Sequence, residues 1–214
     1  MIAVVDYGMG NLRSVQKALE VAGREAKITS NPKDLERCEK LVFPGVGSFG
    51  AAMRELKKRG LVKPIKDAIE SGKIFLGLCL GLQLLFEKSE EAPGVKGLCV
   101  LKGRVRKIRG SGIGIRASGK RLKVPHMGWN SIVHRTSYIV HRSKILQGVP
   151  SNSYMYFVHS YYVEPKDKDI VIATTDYGIE FASGIHKDNI YGFQFHPEKS
   201  QEIGLKILKN FVRM

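Results

Sequence analysis

The chain has 214 residues, long enough for one large domain with a substantial core. Lys and Arg number 35 against 20 Asp and Glu, a formal charge of +15, yet the basic residues are dispersed and the densest run, Lys102 to Lys123, offers no aromatic side chain on which a base could stack; this argues for a solvated surface or an acidic docking partner and against nucleic acid. There is no apolar run of about eighteen residues to span a membrane, Met1-Ile2-Ala3-Val4-Val5 has no basic leader region, and Cys38, Cys79 and Cys99, an odd number without CxxC spacing, argue against a disulfide framework or a zinc site and for a reducing cytoplasm.

Ile2 to Val5 reads as a buried strand ending at Asp6-Tyr7-Gly8-Met9-Gly10. Asn11 is placed to cap a helix through Val21, with Leu12, Val15, Leu19 and Ala22 inward and Gly23 as the stop. Glu25 to Thr29 is a second strand, Asn31-Pro32 opens a short helix, and Leu41 to Phe43 is a third strand. That strand runs into Pro44-Gly45-Val46-Gly47-Ser48-Phe49-Gly50, a glycine-rich turn able to present backbone N–H groups to an anion. Ala51 to Lys58 and Val62 to Glu70 follow helical spacing, and Ile74 to Leu78 is a fourth apolar strand. Leu82, Leu85 and Phe86 continue at helical spacing, so a helix is expected from just after Cys79 to Lys88. This alternation predicts an α/β fold whose central sheet is mostly parallel and flanked by helices, with active groups beyond the C-terminal strand ends, where Asp6, Gly45 and Cys79 fall.

From Leu98 the pattern changes. Leu98 to Ile108, Asn130 to His134, Met155 to Val163, Ile170 to Thr175 and Ile179 to Ile185 read as strands of an antiparallel-rich second half. Gly110 to Lys123 reads as a loop or hairpin. Ile190 to Phe195 is one more buried strand, and Glu202 to Val212 closes the chain as a helix with Ile203, Ile207, Leu208 and Phe211 inward. No internal repeat or long linker is visible, so residues 1–214 are expected to form a single domain.

Chemistry concentrates at two places. Gly77-Leu78-Cys79-Leu80-Gly81, between a strand and a helix, has the spacing of a nucleophile elbow with sulfur in place of oxygen. A Cβ at either glycine would crowd so sharp a turn, and the new helix directs free N–H groups at the sulfur, favouring a thiolate. A cysteine among leucines is usually a small buried hydrophobe; the paired glycines are what lift this one out of that class. His196 follows the last buried strand directly and is followed by Pro197 and Glu198. Two residues apart in an extended chain stiffened by Pro197, Glu198 can take Nδ1–H of His196 while Nε2 faces Cys79. His134 and His141 sit in strand or surface contexts without special neighbours, His126 lies in Pro125-His126-Met127-Gly128-Trp129-Asn130, His159 in Phe157-Val158-His159-Ser160-Tyr161, and His186 ends a hairpin strand.

Gly77-Leu78-Cys79-Leu80-Gly81 with Gln83, and Phe195-His196-Pro197-Glu198, resemble the signatures of class I (triad-type) glutamine amidotransferases. Asp6-Tyr7-Gly8-Met9-Gly10-Asn11, Pro44-Gly45-Val46-Gly47, Pro125-His126-Met127-Gly128-Trp129-Asn130 and Tyr156-Phe157-Val158-His159-Ser160-Tyr161-Tyr162 are similar to one branch of that family, the glutaminase subunits of imidazole glycerol phosphate synthases in histidine biosynthesis. The resemblance spans essentially the whole chain in motif order, with Gly110 to Leu122 as its variable part. It implies Cys79 as nucleophile, His196 as base and Glu198 as orienter. It implies an oxyanion hole from the N–H of Leu80 and the Gly45-Val46 turn, and glutamine held by Gln83 with the backbone around Ser160 and Tyr161. It implies a heterodimer with a (β/α)8 cyclase docking near Trp129 and Lys199, ammonia as the product passed between them, and no cofactor or metal. A glutaminase feeding another acceptor, as in pyridoxal phosphate synthase, and a non-catalytic basic binding module on the same fold are the competing readings.

Overall fold

Short apolar runs with both faces covered make parallel strands, and the first half of this chain is built from them. The computed structural model describes residues 1–109, 123–135 and 143–214. The first half contains β1 (Ile2–Val5), α1 (Leu12–Val21), β2 (Ala26–Thr29), α2 (Pro32–Arg37), β3 (Lys40–Phe43), α3 (Phe49–Lys58), α4 (Val62–Glu70), β4 (Ile74–Leu78), α5 (Leu80–Gln83) and β5 (Phe86–Ser89). Then come β6 (Leu101–Lys107), β7 (His126–His134), β8 (Ser153–His159), β9 (Tyr161–Pro165), β10 (Val171–Asp176), β11 (Glu180–Lys187), β12 (Ile190–Phe193) and α6 (Gln201–Arg213). Single 3-10 turns lie at Lys144–Leu146 and Pro197–Lys199.

The strands form a nine-stranded sheet in the order β2-β1-β3-β4-β12-β11-β10-β7-β8 and a three-stranded sheet β5-β6-β9. From β2 to β12 neighbours are parallel; from β12 to β8 they are antiparallel. The α/β architecture and the antiparallel second half are as expected. Leu56 and Ile65 of α3 and α4, with Phe86, Val105 and Val163 of the small sheet, cover one face of the large sheet. Val15 and Leu19 of α1 and Ile207, Leu208 and Phe211 of α6 cover the other.

Several boundaries differ from the sequence reading. The helix after Cys79 is a single turn, and Phe86 begins β5 instead of continuing it. Leu84, Leu85 and Phe86 are all fully buried, and the Leu84 and Leu85 carbonyls accept from Leu98, Val100 and Leu101. Burial all round erases the contrast between a helical and an extended period. The expected strand Met155 to Val163 is two strands that part at Ser160, β8 joining the large sheet and β9 the small one. β7 starts four residues before Asn130, β6 starts at Leu101, β12 ends at Phe193, and α3 starts at Phe49, directly off the glycine-rich turn. Asn11 makes no side-chain cap, whereas Asn31 Oδ1 accepts from Lys33 N at 3.0 Å. Most of the predicted loop Gly110 to Lys123 and His141 lie outside the described residues.

The arginines in the described part of the basic stretch are ion-paired. Arg104 and Arg106 reach Glu164 at 2.6 and 3.1 Å, and Arg106 also approaches Glu90 at 3.6 Å. Among the described residues no helix is long and apolar enough to cross a membrane, and no group of three or more His, Cys, Asp or Glu side chains is arranged to hold a metal.

Candidate active site

β3, β4 and β12 lie side by side and parallel, with Phe43 opposite Gly77 and Phe193 opposite Leu78. Parallel neighbours about 4.8 Å apart deliver their C-terminal ends together. The glycine-rich turn, Cys79 and His196 therefore leave the sheet at one edge, although 34 and 117 residues separate Cys79 from Gly45 and His196 in the chain.

Cys79 sits at φ 53, ψ −107, a left-handed conformation strained for a residue with a Cβ. Its N–H donates to Phe193 O at 2.8 Å, tying the elbow to β12. Both flanking glycines are required sterically. A Cβ on Gly77 would come within 2.9 Å of Leu82 N, and one on Gly81 would overlap the Phe43 carbonyl. The sulfur is 6% exposed with its residue; Gln194 Nε2 donates to it at 3.6 Å, and Val158 O lies 3.8 Å away. α5 has only four residues, so its dipole adds little to the sulfur's surroundings.

His196 is buried, and its Nδ1–H donates to Glu198 Oε1 at 2.8 Å. The pairing does not arise from an extended segment. Pro197–Lys199 is a 3-10 turn, closed by Lys199 N donating to His196 O, and it folds the carboxylate back under the ring. His196 Nε2 is buried and has no well-formed hydrogen bond to a protein atom. Burial disfavours its protonated form, but interaction with Cys79 and then Glu198 outweighs burial and raises its pKa to about 10. The sulfur and the carboxylate thus favour a proton on the nitrogen that faces the cleft.

Cys79 and His196 line one cleft of about 290 Å³, with Leu80, Gln83, Val46, Ser160 and Tyr161 also on its wall. That volume is at the small end of ligand sites, the scale of an amino acid. Gly45 is behind the wall: a Cβ there would meet Tyr7 Oη at 2.6 Å and Leu80 Cβ at 2.9 Å. Gly45 is thus fixed by packing against the elbow, and the positive φ of the turn lies at Gly47, φ +94. Glu198 supports His196 from behind. Trp129 and Lys199 lie outside the cleft, both against Tyr156: the Trp129 ring packs edge-on at 6.1 Å and Lys199 Nζ lies 5.7 Å over it.

The cleft also holds groups that the sequence reading did not assign. Glu91 lines it, with Oε2 accepting from Phe49 N at 2.7 Å; reading α5 through Lys88 hid the turn that brings this carboxylate back. His159 lines it as well. Gln194 is fully buried beside the sulfur, and a glutamine inside the apolar run Ile190 to Phe195 was the visible signal for it.

A strained thiol, an imidazole fixed by a carboxylate and backbone N–H groups at the same strand edge form the constellation for acyl transfer through a covalent intermediate. The family model described as glutamine amidotransferase class-I matches residues 3–214. An imidazole glycerol phosphate synthase subunit HisH from Caldanaerobacter subterraneus is 51% identical over 214 residues, covering 100% of this chain and 98% of that protein. The protein of the same name from Syntrophotalea carbinolica is 50% identical over 211 residues, covering 99% and 98%. A crystal structure titled glutamine amidotransferase superposes with a TM-score of 0.73 at 18% identity over 100% of both chains, and PurLQS from Thermotoga maritima with 0.71 at 18% over 99% and 97%. Those two structures establish the likeness in fold, and the family model together with the relatives at half identity carries the assignment: the chain belongs to the class-I glutamine amidotransferases.

Proposed function

We infer that this chain is the glutaminase subunit of an imidazole glycerol phosphate synthase, working as a single domain over residues 1–214. The observation that carries the reading is the convergence of the Gly45 turn, Cys79 and the His196–Glu198 pair at three adjacent strand ends. The names borne by the relatives at half identity favour this acceptor system over pyridoxal phosphate synthase.

Cys79 Sγ gives its proton to His196 Nε2 and attacks the side-chain carboxamide carbon of glutamine. The tetrahedral oxyanion is met by the N–H of Leu80 and by the Gly45-Val46 turn. The proton on His196 Nε2 passes to the departing ammonia, leaving a γ-glutamyl thioester on Cys79. His196, now neutral, takes a proton from water as it attacks, and glutamate leaves. Gln83, Glu91 and the backbone at Ser160 and Tyr161 hold the amino-acid end, Glu91 supplying a negative charge for the α-ammonium. Ammonia released into water would be protonated and lost, which is the physical reason for a partner. A (β/α)8 cyclase docked over Trp129 and Lys199 receives it and builds imidazole glycerol phosphate and an aminoimidazole carboxamide ribotide.

The test is glutamate release from glutamine by the chain alone and with the cyclase. Release that rises with the cyclase and vanishes in Cys79→Ala is the expected result. Undiminished release in Cys79→Ala removes the nucleophile assignment. Glu91→Gln is expected to raise KM for glutamine about tenfold or more, the scale of one lost hydrogen bond to a charged group.

A further inference from the structure

A chain of hydrogen bonds, buried at its His126–His159 link, enters the cleft from β7, and its polarity can be read end to end. His159 Nδ1 lies 2.9 Å from the Tyr161 carbonyl oxygen. A carbonyl only accepts, so Nδ1 carries the hydrogen and, in a neutral ring, Nε2 is an acceptor. His126 Nδ1 is 3.0 Å from that Nε2 and must donate to it. His126 Nε2 is then an acceptor as well, and Asn130 Nδ2 lies 3.3 Å away to supply the hydrogen. The Asn130 amide is itself oriented: Nδ2 donates to Asp176 O at 2.9 Å, and Oδ1 accepts from Ser131 N at 2.8 Å. With both rings neutral, every hydrogen in the series has one direction. His126 cannot tilt away, because it is stacked between Phe157 and Tyr177 at 4.8 and 3.9 Å. His159 is kept neutral by burial and by the neighbouring His126, which outweigh its bond to Tyr161 and hold its pKa at about 3.

The chain ends on the glutamine site. Tyr161 O, held by His159, also accepts from Gln83 Nε2 at 2.8 Å. The other hydrogen of Gln83 Nε2 goes to Gln194 Oε1 at 3.2 Å, and Gln194 Nε2 donates to Cys79 Sγ. Both amide hydrogens of Gln83 are thereby committed to protein acceptors, and Oε1 alone remains to meet a ligand. An acceptor is what the α-ammonium of an amino acid needs. Were Tyr161 O to move, Gln83 could turn its amide over and present a donor instead.

We propose that His126 and His159 are positioning residues for substrate: with Asn130 they form a one-way hydrogen-bond relay that fixes the Tyr161 carbonyl, and through it the acceptor polarity of Gln83. This rests on the glutaminase reading. It also gives the outward strand β7, which carries Trp129, a direct line to the substrate site.

Two variants and one measurement on the unaltered protein test it, with the cyclase present in the kinetic assays. His126→Phe keeps the ring between Phe157 and Tyr177 but removes the donor to His159. It is expected to raise KM for glutamine about ten- to hundredfold, the scale of one misdirected hydrogen bond to a charge, with a smaller change in kcat. His126→Asn, whose Nδ2 can stand in for the donating Nδ1, is expected to recover most of that loss. Nitrogen-15 NMR of the wild-type chain at neutral pH should show both rings as Nδ1–H tautomers, a readout that stands even if His126→Phe does not fold. Either ring found as the Nε2–H tautomer or as an imidazolium overturns the relay. So does a His126→Phe enzyme with wild-type KM, or equal losses in the Phe and Asn variants. Failure of the glutaminase reading would look different: wild-type protein with cyclase would release no glutamate at all.

Discussion

His196 answers to two neighbours, and the consequences for chemistry and for stability can be separated. Interaction with Cys79 and Glu198 overcomes burial and holds its pKa at about 10, against 6.5 in an unfolded chain. The native state therefore keeps a proton that the unfolded chain sheds above pH 6.5. This contribution to stability is complete below pH 6.5 and is lost as pH rises through about 10. Cys79→Ala removes the larger of the two raising interactions, so denaturant melts between pH 7 and 10 should show a shallower alkaline loss than wild type. Equal slopes would mean that the sulfur does not act on the ring. Glu198→Gln keeps an acceptor for Nδ1–H at 2.8 Å but deletes its charge. We expect kcat to fall at least about 10²-fold, the lower end of what acid–base groups contribute, and the alkaline limb of the kcat/KM profile to move to lower pH. An unmoved limb would detach Glu198 from His196. His159 has the opposite sign: buried neutral at a pKa of about 3, it costs stability as pH falls from 6.5 toward 3.

The elements hold these residues by backbone contact more than by side-chain choice. α5 packs so tightly on the end of β3 that a Cβ on Gly81 overlaps the Phe43 carbonyl, and a main-chain atom in a central strand has little room to yield. Gly81→Ala should lower unfolding free energy by about 3 kcal/mol or more, the upper range for overpacking, measured by urea melts. Far from the cleft, Lys40 Nζ donates to Phe211 O and Val212 O at 2.9 and 2.7 Å, satisfying carbonyls at the end of α6. Lys40→Met keeps the buried stem and loses both bonds, so it should cost about 2 kcal/mol of stability while leaving kcat unchanged. The elements that carry the chemistry were legible in sequence because apolar runs flanked by glycine or His-Pro mark strand ends whatever the fold. What was not legible has a common physical cause. Leu84 to Phe86 are buried on all sides and carry no period. A single residue, Pro197, separates His196 from Glu198, a spacing compatible with either geometry. His159 acquires its role from His126, and Gln194 from Gln83 and Cys79, pairings across dozens of residues that local pattern does not carry, although a glutamine in an apolar run marks Gln194 as unusual.

At the scale of the whole molecule, the antiparallel half of the sheet presents a face that the core of the described residues does not cover. The register sets Met127 opposite Val158, Trp129 opposite Tyr156 and Ser131 opposite Tyr154. Alternation puts one row of these side chains outward on β7 and β8, and Met127, Trp129 and Tyr154 are 65%, 46% and 63% exposed. Large aromatics left in water on a strand pair, with Lys199 laid over Tyr156 at the margin, have the composition of an anchor with a charged rim. The face also adjoins the cleft, since Val158 belongs to β8 and lines the wall beside Cys79. A partner seated there would close the route by which ammonia reaches water. Trp129→Ala should therefore weaken the cyclase complex by about 2 kcal/mol, near thirtyfold in Kd by titration calorimetry. Lys199→Glu should slow association and make it less sensitive to salt in the attractive sense. Trp129→Ala leaves the thiol, the imidazole and the glutamine pocket untouched, so glutamate release by that uncomplexed variant should match wild type. Wild-type Kd in both variants would place the cyclase on a different surface and leave the exposed aromatics of β7 and β8 without a partner.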